Sequence, residues 1–498
     1  MDTLRRQRLL SVLAIAVACL AFMCLIALRG ARWWVFTLDD AYITLRYSLH
    51  WAQGLGPTWN PGGPPAEGYT TTLWMALLAL AIRLGLDGLL FAKLAGVAFA
   101  LGTLAIASLM ASQLSRQRAL AACVPWLLGC AYWPFSLHAV SGMETTCSAF
   151  ILTLFFWLSS ALTPRRYPAL AISALLACLA RPEAVLACGA TLLVLLVRER
   201  LPLLRAIVLY TVIPGALYFA LRASYFGLLF PLSFYVKAIG REPLAGLSDV
   251  LEFYAVFVIA RPWWGVLAVL GARDRRLVPA LVGALAFSVF FIFPEHIMAF
   301  ESRYMIPLFP LLAALAGIGA SHVADWLQTR TRFALPAVSA AFLFLAALPT
   351  SALSNVEPWL NYGRGLQRAH VTLAHAMRAT GLRDAQVAML DVGAVGYFAD
   401  WNTLDTFGLN DAHVALTQRK DVAYVFAKRP ELIVLISKVP RSFDPLFPWE
   451  APLYPEAIRL GYRYLCDYSF DAGYFLQLYA RDADHSRDEV ICRAASDP

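Results

Sequence analysis

Charge is what this sequence has least of. Only 15% of its 498 residues are Asp, Glu, Lys or Arg, against 60% hydrophobic, and the mean hydropathy is +0.62. That balance excludes a set of soluble domains and defines a polytopic membrane protein. The nine cysteines lack metal-ligand spacing. Cys19, Cys24, Cys123, Cys130, Cys147, Cys178 and Cys188 stand singly in or beside apolar segments, where they behave as small apolar residues. Residues 9–28, preceded by Arg5, Arg6 and Arg8, lack a small-residue cleavage site of the A-x-A kind, so they read as a retained anchor rather than a removed signal peptide. The net charge of +8 does not indicate nucleic acid, because the arginines fall in short clusters between apolar runs, as in cytoplasmic loops.

Several of those runs are too short to span alone at roughly 20 residues per bilayer crossing, and together they predict a bundle of about eleven spans. After 9–28 they fall at 69–84, 89–111, 119–133, 146–162, 168–180, 184–197, 205–224, 251–270, 277–293, 305–320 and 333–348. If 69–111 makes one net crossing, then Arg116 and Arg118, Arg165 and Arg166, Arg198 and Arg200, Arg273, Arg275 and Arg276, and Arg330 and Arg332 all lie inside. Asp39, Asp40, Glu67, Glu144, Arg181, Glu183, Glu295, His296, Glu301 and Arg303 then gather on the outer side. Charges near a bilayer are costly unless paired, hydrated or used, so this gathering points to function.

Local punctuation supports the reading. Ala180-Arg181-Pro182-Glu183 breaks one apolar run into halves too short to span comfortably, and Pro182 enforces the break. Arg261-Pro262 interrupts a later segment, with Trp263 and Trp264 suited to an interfacial belt. An outer loop around 225–250 carries Lys237 beside aromatics, where either phosphate pairing or snorkelling explains it. Beyond residue 349 polar residues return. Gln386–Leu390 reads as a strand, followed by a turn and helix start at Gly393 and Gly396, with further strands near Thr403–Phe407 and Glu431–Ile436. The two glycines do not complete G-x-G-x-x-G, so they permit a close turn rather than mark a nucleotide site. An odd number of crossings puts this domain outside, where Cys466 and Cys492 can pair.

Carboxylates at an outer interface, flanked by Arg and Lys and joined to an extracytoplasmic domain, suit sugar transfer from a polyprenyl phosphate. The phosphate is an adequate leaving group, the acceptor hydroxyl needs a base, and cations stabilise the developing phosphate charge. Several motifs in order resemble the C-type (GT-C) glycosyltransferases, and within them the terminal β-arabinofuranosyltransferase and pilin arabinosyltransferase group. They are Leu38-Asp39-Asp40-Ala41-Tyr42-Ile43-Thr44-Leu45-Arg46-Tyr47, Gly54-Leu55-Gly56-Pro57-Thr58-Trp59-Asn60-Pro61, Ala66-Glu67-Gly68-Tyr69, Ser141-Gly142-Met143-Glu144-Thr145, Ala180-Arg181-Pro182-Glu183, Ser302-Arg303-Tyr304 and Asp405-Thr406-Phe407-Gly408-Leu409-Asn410-Asp411. Where the group would have Pro-Asn-Thr, this chain has Pro231-Leu232-Ser233, although Lys237 matches.

The resemblance implies a mostly α fold. Residues 1–349 would form a transmembrane catalytic domain with outer loops at 30–68 and 225–250, and 350–498 a periplasmic α/β domain, in a bacterial inner membrane. It implies Asp39 as general base with Asp40 as the alternative, and Arg46, Glu67, Tyr69, Glu144 and Glu183 around the acceptor. Arg181, Lys237, Arg303 and Tyr304 would meet the donor phosphate. No cofactor is demanded; a divalent cation at Glu67 and Glu144 is the one left open. The expected partners are a polyprenyl-phosphate sugar, membrane lipids and an extracytoplasmic glycan, lipid or protein acceptor. Transfer of mannose, galacturonic acid or aminoarabinose to lipid A or lipopolysaccharide is the rival within the fold, and a lipid-linked sugar transporter the rival outside it. Reporter tags at Arg116, Arg165, Arg198, Arg275 and Arg330 are expected to report cytoplasm, and tags near Gly62 and after residue 349 periplasm. A periplasmic signal at Arg116 or Arg165 reverses this parity.

Overall fold

A computed structural model describes residues 32–238, 244–257, 261–294, 296–298, 300–330, 356–383 and 385–496, with Leu20 and Arg29. The expected spans at 9–28 and 333–348, and Glu295, lie outside the described residues. The chain divides into two compact units. One comprises Met1–Trp34, Ala92–Ala220 and Gly240–Asn355; the other comprises Val35–Phe91, Leu221–Ile239 and Val356–Pro498.

The first unit is helical, and Thr72–Arg83, the start of Gly88–Gln113 and the end of Ala184–Phe226 fall in the second. Among the described residues three helices are long and apolar enough to cross a membrane, Gly88–Gln113, Ala184–Phe226 and Ile306–Gln328; the bent pair Arg118–Ala131 and Trp133–Ala139, at 75°, makes a fourth if it counts as one span. Thr72–Arg83, Thr145–Ser160 and Pro262–Gly271 are shorter apolar helices. The 43 residues of Ala184–Phe226 would extend about 65 Å as one rod, twice the bilayer core. Arg200, at φ 49° and ψ −131°, breaks it into two, with Pro202 just beyond. Pro182 acts in the same way at the preceding boundary. It disfavours helical backbone at Arg181, which is extended at φ −153° and ψ 123° between the helices Tyr167–Ala180 and Ala184–Ile207.

Helices associate here through small residues, because apolar surface gains nothing by leaving lipid and close contact supplies the attraction. Helix Pro262–Gly271 packs on Phe309–Gln328 so closely that a Cβ on Gly271 would lie 2.0 Å from the Leu315 carbonyl, and one on Gly319 1.9 Å from the Leu267 carbonyl. A Cβ on Gly96 would meet the Ala139 carbonyl at 2.3 Å, and the Gly96 carbonyl accepts a hydrogen bond from Thr146.

The second unit holds a five-stranded sheet with β1 Gln386–Met389, β2 Asn402–Asp405, β3 Leu432–Ser437, β4 Arg463–Asp471 and β5 Tyr474–Ala480, in the order β2-β1-β3-β5-β4. The pairs β2-β1 and β1-β3 are parallel; β3-β5 and β5-β4 are antiparallel. Central β3, Leu432-Ile433-Val434-Leu435-Ile436-Ser437, is buried at every position, which is why its sequence is continuously apolar rather than alternating. Ala388, Leu404, Ile433, Leu435 and Tyr479 form the core on one side with Phe426 and Leu453 from the covering helices.

Cys466 on β4 is disulfide-bonded to Cys492 on helix His485–Ser496. A loop closed across a separation of 26 residues constrains the unfolded chain by roughly 3 kcal/mol. Thiol mapping by mass spectrometry is expected to find both sulfurs blocked, and Cys492→Ser to lower the melting temperature of the purified protein; two free thiols and an unchanged melting temperature would reject the bridge.

Candidate functional site

In the second unit, Asp39 opens helix Asp39–Ala52 and is buried. Its two carboxylate oxygens accept the Gly393 and Ala394 backbone N–H groups, both at 2.8 Å, at the start of helix Gly393–Phe398. The approach requires glycine, since a Cβ on Gly393 would lie 2.1 Å from the Asp39 carbonyl oxygen. The Asp39 N–H donates to the Tyr362 hydroxyl at 3.3 Å. Burial pushes the Asp39 carboxyl up to about 6; the His370 imidazole pulls it down, Asp391 raises it, and the two backbone N–H groups lower it. Asp391 lies 3.5 Å from His370 and accepts the Tyr474 hydroxyl.

Asp40 differs from its neighbour. It is half-buried, and its carboxylate makes no hydrogen bond or ion pair among the described residues.

Arg46, on the same helix, does not pair with a carboxylate. Its guanidinium donates to the carbonyls of Trp59 at 2.7 Å and Trp401 at 3.1 Å, to the Asn60 side chain at 2.9 Å and to the Gly396 carbonyl, and it stacks over the Trp59 ring at 4.6 Å. Every arm of the fork is used in holding the loop and the sheet domain together. Asn60 extends this by accepting from the Thr403 N–H and donating to the Thr403 carbonyl, each at 3.0 Å, so its amide covers the open edge of β2.

Glu67 is buried against Arg222, whose Nε donates at 3.0 Å and whose Nη2 forms the ion pair. Burial raises the Glu67 carboxyl and Arg222 opposes the rise. The Glu67 carbonyl accepts the Leu232 N–H at 3.0 Å, and Arg222 also holds the Leu229 carbonyl at 2.8 Å. Tyr69 packs edge-on to Tyr47 with ring centroids 4.9 Å apart. Lys237 lies on helix Leu232–Ala238, half-buried and without an ion pair among the described residues; that helix packs on Ala412–Leu416.

The motif Asp405–Asp411 folds on itself. Buried Asp405 accepts N–H groups from Phe407, Gly408 and Asn410 and the Asn410 side chain, all at 2.8 to 2.9 Å. Burial nevertheless pushes its carboxyl up to about 6.

In the first unit, Arg181 bonds Glu144 at 3.3 Å and Glu183 at 3.2 Å. Its guanidinium lies 4.9 Å from the Tyr304 ring centroid, and that of Arg303 lies 5.0 Å from the same centroid. Tyr304 is fixed by donating its hydroxyl to the Ile297 carbonyl at 2.7 Å. Arg303 is only 4% exposed, and its Nε and Nη1 have no hydrogen-bond partner. Two other non-glycine residues immediately before it, Glu301 and Ser302, have φ of 51° and 57°, a costly backbone that marks functional loops. A buried guanidinium with unused donors can take an anion.

Thus Asp39, Arg46, Glu67, Tyr69 and Lys237 belong to the second unit, and Glu144, Arg181, Glu183, Arg303 and Tyr304 to the first. Glu67 and Glu144 are each bound to arginine, which does not suit them as a donor set for a divalent cation, and among the described residues no group of three or more His, Cys, Asp or Glu side chains gathers to hold one. Sequence reasoning missed Arg222, His370 and Asp391. A lone arginine inside the apolar run 205–224 is the signal that could have exposed the first.

The family model described as Domain of unknown function (DUF8728) matches residues 360–484. No curated protein is matched as a sequence relative. The crystal structure of ArnT from Cupriavidus metallidurans bound to undecaprenyl phosphate shares the fold with a TM-score of 0.60 at 14% identity, over 95% of this chain and 98% of that one. The apo ArnT structure gives 0.57 at 14% identity, over 93% and 98%. The chain therefore has an ArnT-like fold, mostly helical with a small C-terminal sheet.

Asp405 supplies a test of the geometry. A carboxyl whose folded value lies near 6, above its unfolded value, binds its proton more readily when folded. Its contribution to stability is therefore greatest at low pH and falls as pH rises toward the folded value, then stays level. Relative to Asp405→Asn, which does not titrate, the wild-type protein is expected to lose stability between about pH 4 and 6. Thermal unfolding of both proteins across that range checks it, and parallel curves would reject the buried carboxyl.

Proposed function

We propose that this chain is a membrane glycosyltransferase that moves a sugar, arabinofuranose by the resemblance of its motifs, from a polyprenyl-phosphate donor to an extracytoplasmic acceptor. The observation that carries the reading is Arg303, buried with two unpartnered donors beside Arg181 on the face of Tyr304. It is supported by the fold, shared with an ArnT structure that holds undecaprenyl phosphate.

In this reading Arg303 and Arg181 bind the donor phosphate, with Lys237 as a further cation. The acceptor hydroxyl oxygen attacks the anomeric carbon as the bond from that carbon to the phosphate oxygen breaks. The electron pair leaves with the phosphate, where guanidinium donors stabilise it, and the hydroxyl proton passes to a carboxylate.

The resemblance gives that last role to Asp39, and its raised proton affinity would suit a base. Its burial and its two N–H bonds favour the neighbour instead. We assign proton removal to Asp40 and make Asp39 the residue that fixes the first turn of its helix. Glu67, through Arg222, and Glu144, through Arg181, then shape the loops around the substrates rather than hold a metal.

The assay uses purified protein in nanodiscs with a polyprenyl-phosphate arabinofuranose donor. Asp40→Asn is expected to cut kcat by roughly 10² to 10⁴ with donor KM unchanged. Arg303→Ala is expected to raise donor KM by roughly 10 to 100-fold, the loss of one or two bonds to a charged group. Full activity of Asp40→Asn sinks the base assignment, and an unchanged donor KM in Arg303→Ala sinks the phosphate assignment. Transfer from an aminoarabinose donor to lipid A, and none from arabinofuranose, would establish the rival specificity. Movement of intact donor across the bilayer without product would establish a transporter.

A further inference from the structure

The first unit contains a cavity of about 460 Å³ that the proposed reaction does not use, lined by residues following helix Gly88–Gln113, by the turn at Asp274–Arg276 and by helix Phe309–Gln328. Its volume is within the range of small-molecule sites, about 300 to 1,000 Å³, but its lining is charged rather than apolar. Asp274 and Arg276 neutralise one another, with Arg276 Nη2 2.6 Å from Asp274 and a second bond from Nε at 3.0 Å. His322 is tied to the Leu270 carbonyl at 3.3 Å.

Arg116 and Asp325 remain. They face the same cavity with opposite charge and do not pair with one another. Arg116 is exposed and makes no ion pair among the described residues. Asp325 accepts the Gln117 amide at 2.8 Å through one oxygen, leaving the other unused. The Ser115 hydroxyl, also in the lining, is buried and has no partner. Opposite charges that line one polar cavity without pairing match a ligand that carries both signs itself. The arginine clusters assign this end of the unit to the cytoplasmic side, where phospholipid head groups are the abundant zwitterions.

We propose that this cavity holds the head group of an aminophospholipid, with its phosphate against Arg116 and Ser115 and its primary ammonium against Asp325. A phosphate takes charge-assisted bonds from arginine and a hydroxyl, and an ammonium donates to the unused carboxylate oxygen. A quaternary ammonium of the same charge has no N–H to donate, so the site distinguishes ethanolamine from choline head groups. The inference rests on the membrane reading but not on sugar transfer, and it leaves that activity in place if it fails.

Native mass spectrometry of the full-length protein tests it, using phosphatidylethanolamine and phosphatidylcholine with identical acyl chains. The wild-type protein is expected to retain the ethanolamine lipid roughly tenfold better, the size of one hydrogen bond to a charged group. Asp325→Asn is expected to abolish the preference, and Arg116→Ala to weaken retention of both lipids. Displacement of the lipid by glycerophosphoethanolamine would show that the head group alone is recognised, as the proposal requires. Equal retention of the two lipids by the wild-type protein would overturn it, as would an unaltered preference in Asp325→Asn. Displacement by inorganic phosphate at the same concentration as glycerophosphoethanolamine would overturn it too, because the ammonium would then contribute nothing.

Discussion

The cost of removing charge from water governs the arrangement of both units. A buried ion costs several kcal/mol unless its bonds are replaced, and this chain replaces them largely with backbone groups. Asp39 takes two N–H groups at the start of a short helix, Asp405 takes three from its own loop, and Arg46 gives to three carbonyls. Such bonds fix geometry more firmly than a pair of mobile side chains, because the acceptor or donor cannot rotate away. The loop before helix Thr72–Arg83 is thereby made part of the sheet domain, so the Asp39-Asp40 pair sits on a braced element rather than a free one.

Against that background the unreplaced charges stand out. Arg303 keeps two buried donors unused, and two left-handed residues precede it. Left-handed backbone at Glu301 and Ser302 costs of order 1 to 3 kcal/mol for each residue, and surrounding contacts must sustain it. Tyr304 supplies one, being held by the Ile297 carbonyl and packed against His296 at 5.1 Å between ring centroids. Asp249 bonds that histidine at 2.8 Å, so a chain of contacts from helix Leu247–Ala255 supports the residue on which both guanidiniums lie.

Much of this was legible in the sequence, and what was hidden has a physical reason. Pro182 announced the break at Arg181, and the strand, turn and helix around Gln386–Gly396 appeared as their glycines and apolar run suggested. Asp39, Glu67 and Arg181 stood out because charges are rare in so apolar a sequence, and all three are buried and bonded. Their partners were not. Glu67 and Arg222 are separated by 155 residues and Asp39 and Gly393 by 354, and no local pattern encodes such pairings. Arg46 shows the limit most clearly: the resemblance sets it around the acceptor, while carbonyl oxygens, the Asn60 side chain and the Trp59 ring satisfy it. A guanidinium in a fold with many loop carbonyls has this alternative, and sequence does not distinguish the two.

The adjacency of Asp39 and Asp40 follows from the same constraint. Successive residues of a helix differ by about 100° in direction, so the first carboxylate of the helix Asp39–Ala52 can turn toward Gly393 while the second cannot follow it. Fixing one acid therefore orients the other without engaging it. A single aspartate would do both less well, because the N–H bonds that hold Asp39 in place take one acceptor site on each of its oxygens and fix their direction. Replacing Asp39 by a neutral cap would keep the helix but lose the two charge-assisted bonds that set its rotation. In the proposed reaction the pair divides holding from reacting between neighbouring residues, and the buried member, Asp39, is the one suited to holding.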